Sequence, residues 1–190
     1  KGGNASSNLP FRGGKGNLYD GGVHVPFIAT WPAKIPAGTT YEYPVNSLDI
    51  ARTAVEVGGA NASVQPTMEG VDLIPYVLGE KDSAPHEAIF WRGGTNKFWS
   101  ILSSDKMKYL KDKDSGQAEA ELFHLLNDIT ESTDVADQQS ERVAQLLQQW
   151  KDWNKDNVPG RMLGYKIYHK LSYEFYLEAI SSKKGGDPER

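Results

Sequence analysis

The sequence predicts an α/β protein in which a strand and a helix lead into a small four-stranded antiparallel sheet packed by a C-terminal helix. Three observations carry that prediction. "VHVPFIATW", residues 23–31, gathers β-branched and aromatic residues into a strand-like run. Between residues 87 and 126, "EAIFWR", "KFWSILSSD", "KMKYLKD" and "AELFHLL" are short β-type runs separated by Gly-Gly, Ser-Asp and Asp-Ser-Gly turns, the pattern of a meander. In "SERVAQLLQQWKDWNKD", residues 140–156, Val143, Leu146, Leu147, Trp150 and Trp153 recur at helical spacing and would cover one face of that sheet.

The remaining elements follow in chain order. Residues 1–22 are rich in Gly, Ser and Asn and keep no period, so they read as loop. Pro26 inside the 23–31 run points to an edge strand or a bulge, and Pro32 closes it. "PAKIPAGTTYEYP" is a proline-punctuated loop with a turn at Ala37-Gly38. "SLDIARTAVEVGGA", residues 47–60, reads as a helix with Ser47 as N-cap, an apolar face of Leu48, Ala51, Ala54 and Val55, and a stop at Gly58-Gly59. "EGVDLIPYVLGE" reads as a short helical turn interrupted by Pro75 and ended at Gly79. "NDITESTDVADQQ" is a polar connector. The tail after residue 157 carries Tyr165, Tyr168, Tyr173 and Tyr176 on a helix or an extended arm.

Bulk properties narrow the function classes. With 190 residues the chain can bury one sizeable core. A net charge of -4 offers no general attraction to nucleic acid or an anionic membrane, so a bound anion would need a local site. The absence of cysteine removes thiol nucleophiles, disulfides and Cys-based zinc sites. No apolar run approaches the ~20 residues of a membrane span. Because it starts at Lys1 within the loop-like "KGGNASSN", the chain is expected to be a portion of something longer. The Asn-Ala-Ser triplets at Asn4 and Asn61 fit the glycosylation sequon, a pattern that also arises by chance.

One stretch concentrates the chemistry. In "FRGGKGNLYDGG", Gly13, Gly14 and Gly16 surround Lys15 and allow positive φ and close approach of a ligand. A lysine there can act as a point charge for a phosphate or sulfate oxygen. The nucleotide-binding P-loop does not fit, because no Ser or Thr follows the lysine and no strand precedes the loop. Taken alone, Lys15 reads first as an exposed turn lysine and only second as an anion-binding residue.

The whole stretch from Pro10 to Gly38, "PFRGGKGNLYDGGVHVPFIATWPAKIPAG", resembles the sulfatase family, which is part of the alkaline-phosphatase superfamily. The resemblance continues in order through "SLDIARTAVEVGGA", "MEGVDLIPYVLGE", "HEAIFWR", "KMKYL" and "ELFHLLNDITESTDVAD". It implies an alkaline-phosphatase-like α/β fold of which this chain is the C-terminal part. Residues 1–85 would end the large α/β domain, 86–157 would form the small sheet-and-helix subdomain, and 158–190 a tail. It implies an arylsulfatase-like sulfuric ester hydrolase that uses a formylglycine and a divalent cation, Ca2+. Lys15 would hold a sulfate oxygen and the bridging ester oxygen, with Arg12 buttressing the loop and Asp20 belonging to its architecture. His24 stands where many members have arginine and would meet the organic portion of the substrate. The implied partners are a sulfate ester such as a sulfated glycan and the N-terminal part of the same protein, with no nucleic acid and no membrane. The implied location is periplasmic or secreted, or lysosomal in a eukaryote.

The formylglycine motif and the Asp and Asn metal ligands of the family have no counterpart here, so these 190 residues alone are expected to be inactive. His86, His124 and His169 are expected to be structural or surface residues, and no group of Asp residues resembles a calcium site. The alternatives are a phosphoester or phosphonate hydrolase of the same superfamily, a non-catalytic binding module and a pseudo-enzyme.

Overall fold

The computed structural model describes residues 7–60, 68–93, 98–112, 119–158, 169–175 and 177. The chain divides into two compact units, Lys1–Asn157 and Val158–Arg190. In the second, residues 169–175 are helical, with Lys170 paired to Glu174 one turn on. Asn4, Asn61, Tyr165 and Tyr168 lie outside the described residues, as does the side chain of Tyr176.

The first unit is built on the expected meander. Strands β1 (Ala88–Arg92), β2 (Trp99–Ser103), β3 (Met107–Lys111) and β4 (Glu121–His124) pair antiparallel in the order β1-β2-β3-β4. The period-2 alternation of the strands divides their side chains between two faces. Trp99, Ile101, Met107, Tyr109 and Leu122 point to one face, where α4 (Ser140–Lys155) lays Leu146 and Trp150 on them. Aromatic rings dominate this layer. Trp99 meets Tyr109 edge-on at 5.2 Å and Trp150 at 4.9 Å, while Phe90 stacks on Trp153 at 4.8 Å. Helix α4 therefore packs as its apolar spacing predicts.

The opposite face is also closed, which the sequence pattern does not reveal. Leu110 and Phe123 pack there against Leu18 and Tyr19, from the loop that precedes helix α1 (Asp20–Val23). The small sheet is thus sandwiched between α4 and the N-terminal loop. Strands β2 and β3 are consequently buried on both faces for nearly their full length.

Four local expectations are corrected. Residues 24–31 form no strand: among the described residues the sheet has four strands and excludes them, and Val25, Phe27 and Ile28 are exposed. An extended run becomes a strand only when a neighbour takes its backbone hydrogen bonds. Helix α2 (Ser47–Val57) is capped by Asn46, not Ser47. The Asn46 side chain accepts from the Leu48 N–H at 2.8 Å, and Asp49 reaches back to the Asn46 N–H at 2.8 Å. Its expected apolar face is mostly exposed: of Leu48, Ala51, Ala54 and Val55 only Val55 is partly covered, and the buried residue is Asp49. Ile50, Ala54 and Val57 instead border an open apolar groove of about 250 Å³ together with Phe27, Trp31 and Leu73. Pro75 does not interrupt the next turn but sits at the start of α3 (Ile74–Val77), where its missing N–H costs nothing; Gly79 follows it at φ +73°.

Candidate functional site

Lys15 lies exposed at the tip of a tight turn. The Asn17 N–H donates to the Gly14 carbonyl at 2.9 Å, and the Gly14 N–H donates back to the Asn17 side chain at 3.0 Å. Gly13 and Gly16 take the left-handed backbone, φ +78° and +96°, whereas Gly14 does not need it. The turn then folds against α1. A methyl group on Gly22 would fall 2.2 Å from the Asn17 carbonyl and 2.6 Å from that of Gly14, so only glycine fits there. The Gly21 N–H donates to the Arg12 carbonyl at 2.8 Å, closing the loop on itself.

Beneath this turn is a bed of buried charge on β3, β4 and the connector that follows β4. Lys108, fully buried, places its Nζ 2.5 Å from Asp20 Oδ1 and 2.9 Å from Glu131 Oε1. Glu131 accepts the Asp20 N–H at 2.7 Å, and its own carbonyl accepts the Arg12 guanidinium at 2.7 Å. Glu131 adopts φ +50°, uncommon for a side chain of its size and maintained by these contacts. Arg12 lies 3.9 Å above the Tyr19 ring and 3.4 Å from Glu121, which also accepts the Tyr19 hydroxyl. Asp112 accepts the Leu18 N–H at 2.6 Å and the Asn17 amide at 3.2 Å. Arg12 thus ties the root of the turn to Glu121 and Glu131, and Asp20 ties it to Lys108.

The electrostatics follow from burial and pairing. Burial acts to raise the Asp20 carboxyl, but the hydrogen bond to His24 and the Lys108 ammonium outweigh it and hold the group below its ordinary range. At Glu131 burial wins over the same ammonium, and the carboxyl is raised. The Tyr19 phenol is pushed up by burial and by its bond to the Glu121 carboxylate.

His24 caps the end of α1. Its Nδ1 lies 3.1 Å from Asp20 Oδ2 and its ring 4.7 Å from that of Phe11, while 54% of the side chain stays exposed. The backbone closure at Gly21 and Gly22 thus ties the segments bearing Lys15 and His24 into one small unit. The other histidines lie elsewhere. His86 Nε2 lies 2.9 Å from both carboxylate oxygens of the buried Asp49, joining α2 to the turn before β1. His124 is partly buried at the end of β4, and His169 belongs to the second unit.

Among the described residues no group of three or more His, Cys, Asp or Glu could hold a metal ion. The described residues therefore do not by themselves form a site for the divalent cation implied by the resemblance. No helix among them is long and apolar enough to cross a membrane.

The sequence does not announce Lys108, Asp112, Glu121 and Glu131 as partners of the turn. A signal exists for two of them. Lys108 alternates with Met107 and Tyr109, and Glu121 with Leu122, so each charge falls on the same face as Leu110 or Phe123, where a solvated residue would be out of place.

No family model matches the chain. Curated relatives do. Rat (Rattus norvegicus) steryl-sulfatase is 36% identical over 84 residues, 44% of this chain and 15% of its own length. Bovine (Bos taurus) arylsulfatase A is 35% identical over 98 residues, 52% of this chain and 19% of its own length. The crystal structure of Ps i-CgsB in complex with k-i-k-neocarrahexaose superposes with a TM-score of 0.73 at 26% identity, covering 92% of this chain and 38% of that one. The chain therefore spans well under half the length of the proteins it matches. In sequence and in fold it is similar to sulfatases, and the match is consistent with a C-terminal portion of that family.

Proposed function

We propose that this chain contributes the lysine arm of a sulfuric ester hydrolase and that Lys15 contacts the sulfate group. The observation that carries this reading is the exposed lysine on a glycine-locked turn, seated on buried ion pairs in a chain similar to sulfatases. An ammonium held at a fixed place can stabilise negative charge as it develops on the ester oxygen when the S–O bond breaks. It acts there as a compact charge on a single atom, a task less suited to the planar fork of arginine. His24 meets the organic part of the substrate. A sulfated glycan is the favoured class, in line with the oligosaccharide bound to Ps i-CgsB.

The formylglycine and the cation, Ca2+ by resemblance, come in this reading from sulfatase segments outside these 190 residues. Residues 1–85 then finish the large α/β domain, 86–157 form the small subdomain, and 158–190 a tail. The location is periplasmic or secreted, or lysosomal in a eukaryote. The test is Lys15→Ala in the protein that carries this chain, assayed on an aryl sulfate and on a sulfated oligosaccharide. Turnover should fall roughly 100- to 1000-fold, the range for losing one preorganised charge-stabilising donor. Unchanged turnover would remove Lys15 from the mechanism.

A further inference from the structure

We propose that Asp20 is a positioning residue that fixes the tautomer and orientation of His24, with Lys108 holding Asp20 in place from inside the fold. The inference rests on the reading that His24 meets the substrate, and it assigns a role to buried charges that loop architecture alone leaves unexplained.

The geometry divides the Asp20 carboxylate between two partners. Oδ1 receives the Lys108 ammonium at 2.5 Å, and Oδ2 faces His24 Nδ1 at 3.1 Å. An ionised carboxylate only accepts hydrogen bonds, so the proton of this contact sits on Nδ1. In the neutral imidazole, Nε2 is then left as an acceptor; in the charged ring it becomes a second donor. The half-exposed ring, set against Phe11, therefore has one defined polar edge beyond its bond to Asp20. A histidine in water has no such constraint.

The backing is unusually firm. Asp20 is buried at 6% exposure, Lys108 is fully buried, and Glu131 takes both the Lys108 ammonium and the Asp20 N–H. Asp20 is thus held at its side chain by β3 and at its backbone by the connector after β4. The same Glu131 fixes Arg12 at the root of the Lys15 turn through its carbonyl. One buried cluster consequently sets both the histidine edge and the seat of the lysine turn.

The experiment reads the imidazole nitrogens directly. Long-range proton–nitrogen spectra of the 190-residue chain, recorded where imidazole is neutral and assigned with His24→Gln, should show His24 protonated on Nδ1. A proton on Nε2 in the wild-type chain would overturn the proposal. In Asp20→Asn, Lys108 should bind the amide oxygen, turning the NH2 group toward His24 and forcing the ring proton onto Nε2. Retention of the Nδ1 proton in a folded Asp20→Asn chain would also overturn it. If that variant does not fold, the wild-type spectrum alone decides.

Turnover of a sulfate ester by the protein carrying Asp20→Asn should fall by about 10- to 100-fold, by analogy with the loss of a carboxylate that orients a metal-bound histidine. A purely structural role would lower the melting temperature and leave the tautomer as it was. Failure of the sulfatase reading would appear separately, as unchanged turnover in Lys15→Ala with the tautomer result intact.

Discussion

At the scale of single residues, the two lysines that bracket the loop have opposite characters. Lys15 is exposed and hydrated, so Lys15→Ala should change stability by no more than about 0.5 kcal/mol while it impairs activity. Lys108 is sealed between two carboxylates, and Lys108→Met would leave Asp20 and Glu131 facing each other without a cation. That change should cost roughly 3–5 kcal/mol, the range for breaking a buried ion pair from one side. Urea denaturation of the two variants measures both, and a Lys108→Met chain as stable as wild type would contradict the burial of the triad. The sequence made Lys15 legible because a glycine-flanked cation within an extended motif is conspicuous. Lys108 is less conspicuous because a lysine in a short strand ordinarily faces water. Its alternation places it on the Leu110 face, but its partner Asp20 lies 88 positions away, and no local pattern shows that pairing.

At the scale of elements, caps and packing separate cleanly. Asn46 holds the N-terminus of α2 by a reciprocal capping box, so Asn46→Ala should cost ~1 kcal/mol and Ser47→Ala much less. Equal losses from both would refute the assignment of the cap. The one-residue error from sequence is understandable, since Asn and Ser are adjacent and both cap well; only the backbone decides, and Asn46 has the extended φ -129°, ψ 168° of an N-cap. Helix α4 was legible in full because its apolar stripe is long and its partner face is built of neighbouring strands. Truncating Leu146 to Ala in that fully buried layer should cost about 2–5 kcal/mol by denaturation. The 23–31 run departs from its expected strand for the converse reason. Its composition suits a strand, but none of the four described strands pairs with it.

At the scale of the whole molecule, buried and capped carboxylates set the response to acid. Burial opposes ionisation at Asp20, Asp105 and Asp128 alike. It is outweighed by His24 and Lys108 at Asp20, by Ser103, the Met107 N–H and Arg142 at Asp105, and by the 130–133 loop at Asp128. All three stay below the ordinary aspartate value. The unfolded chain therefore takes up their protons first, and their stabilisation is present above the unfolded value of ~3.9 and lost as pH falls through the folded values. Glu131 works in the other direction. Its folded value is raised, so the native state takes that proton first and gains stability as pH falls through it. Glu131→Gln should therefore lose stability relative to wild type as the solution is acidified toward the aspartate range. Urea midpoints measured across that range test the sign, and a difference that shrinks on acidification would reverse the assignment.

The closure of the sheet's second face by the N-terminal loop also bears on how such a fold can be cut and recombined. The sheet and α4 look like a self-sufficient cassette in the sequence, from Ala88 to Lys155. A chain started at that boundary would expose Leu110 and Phe123 to water and leave Lys108 without Asp20. Transplanting the cassette into a relative should therefore succeed only if residues 12–24 travel with it, or if the recipient's loop carries matching charges. The unit of inheritance here is discontinuous: a sheet and a distant loop that must be exchanged together.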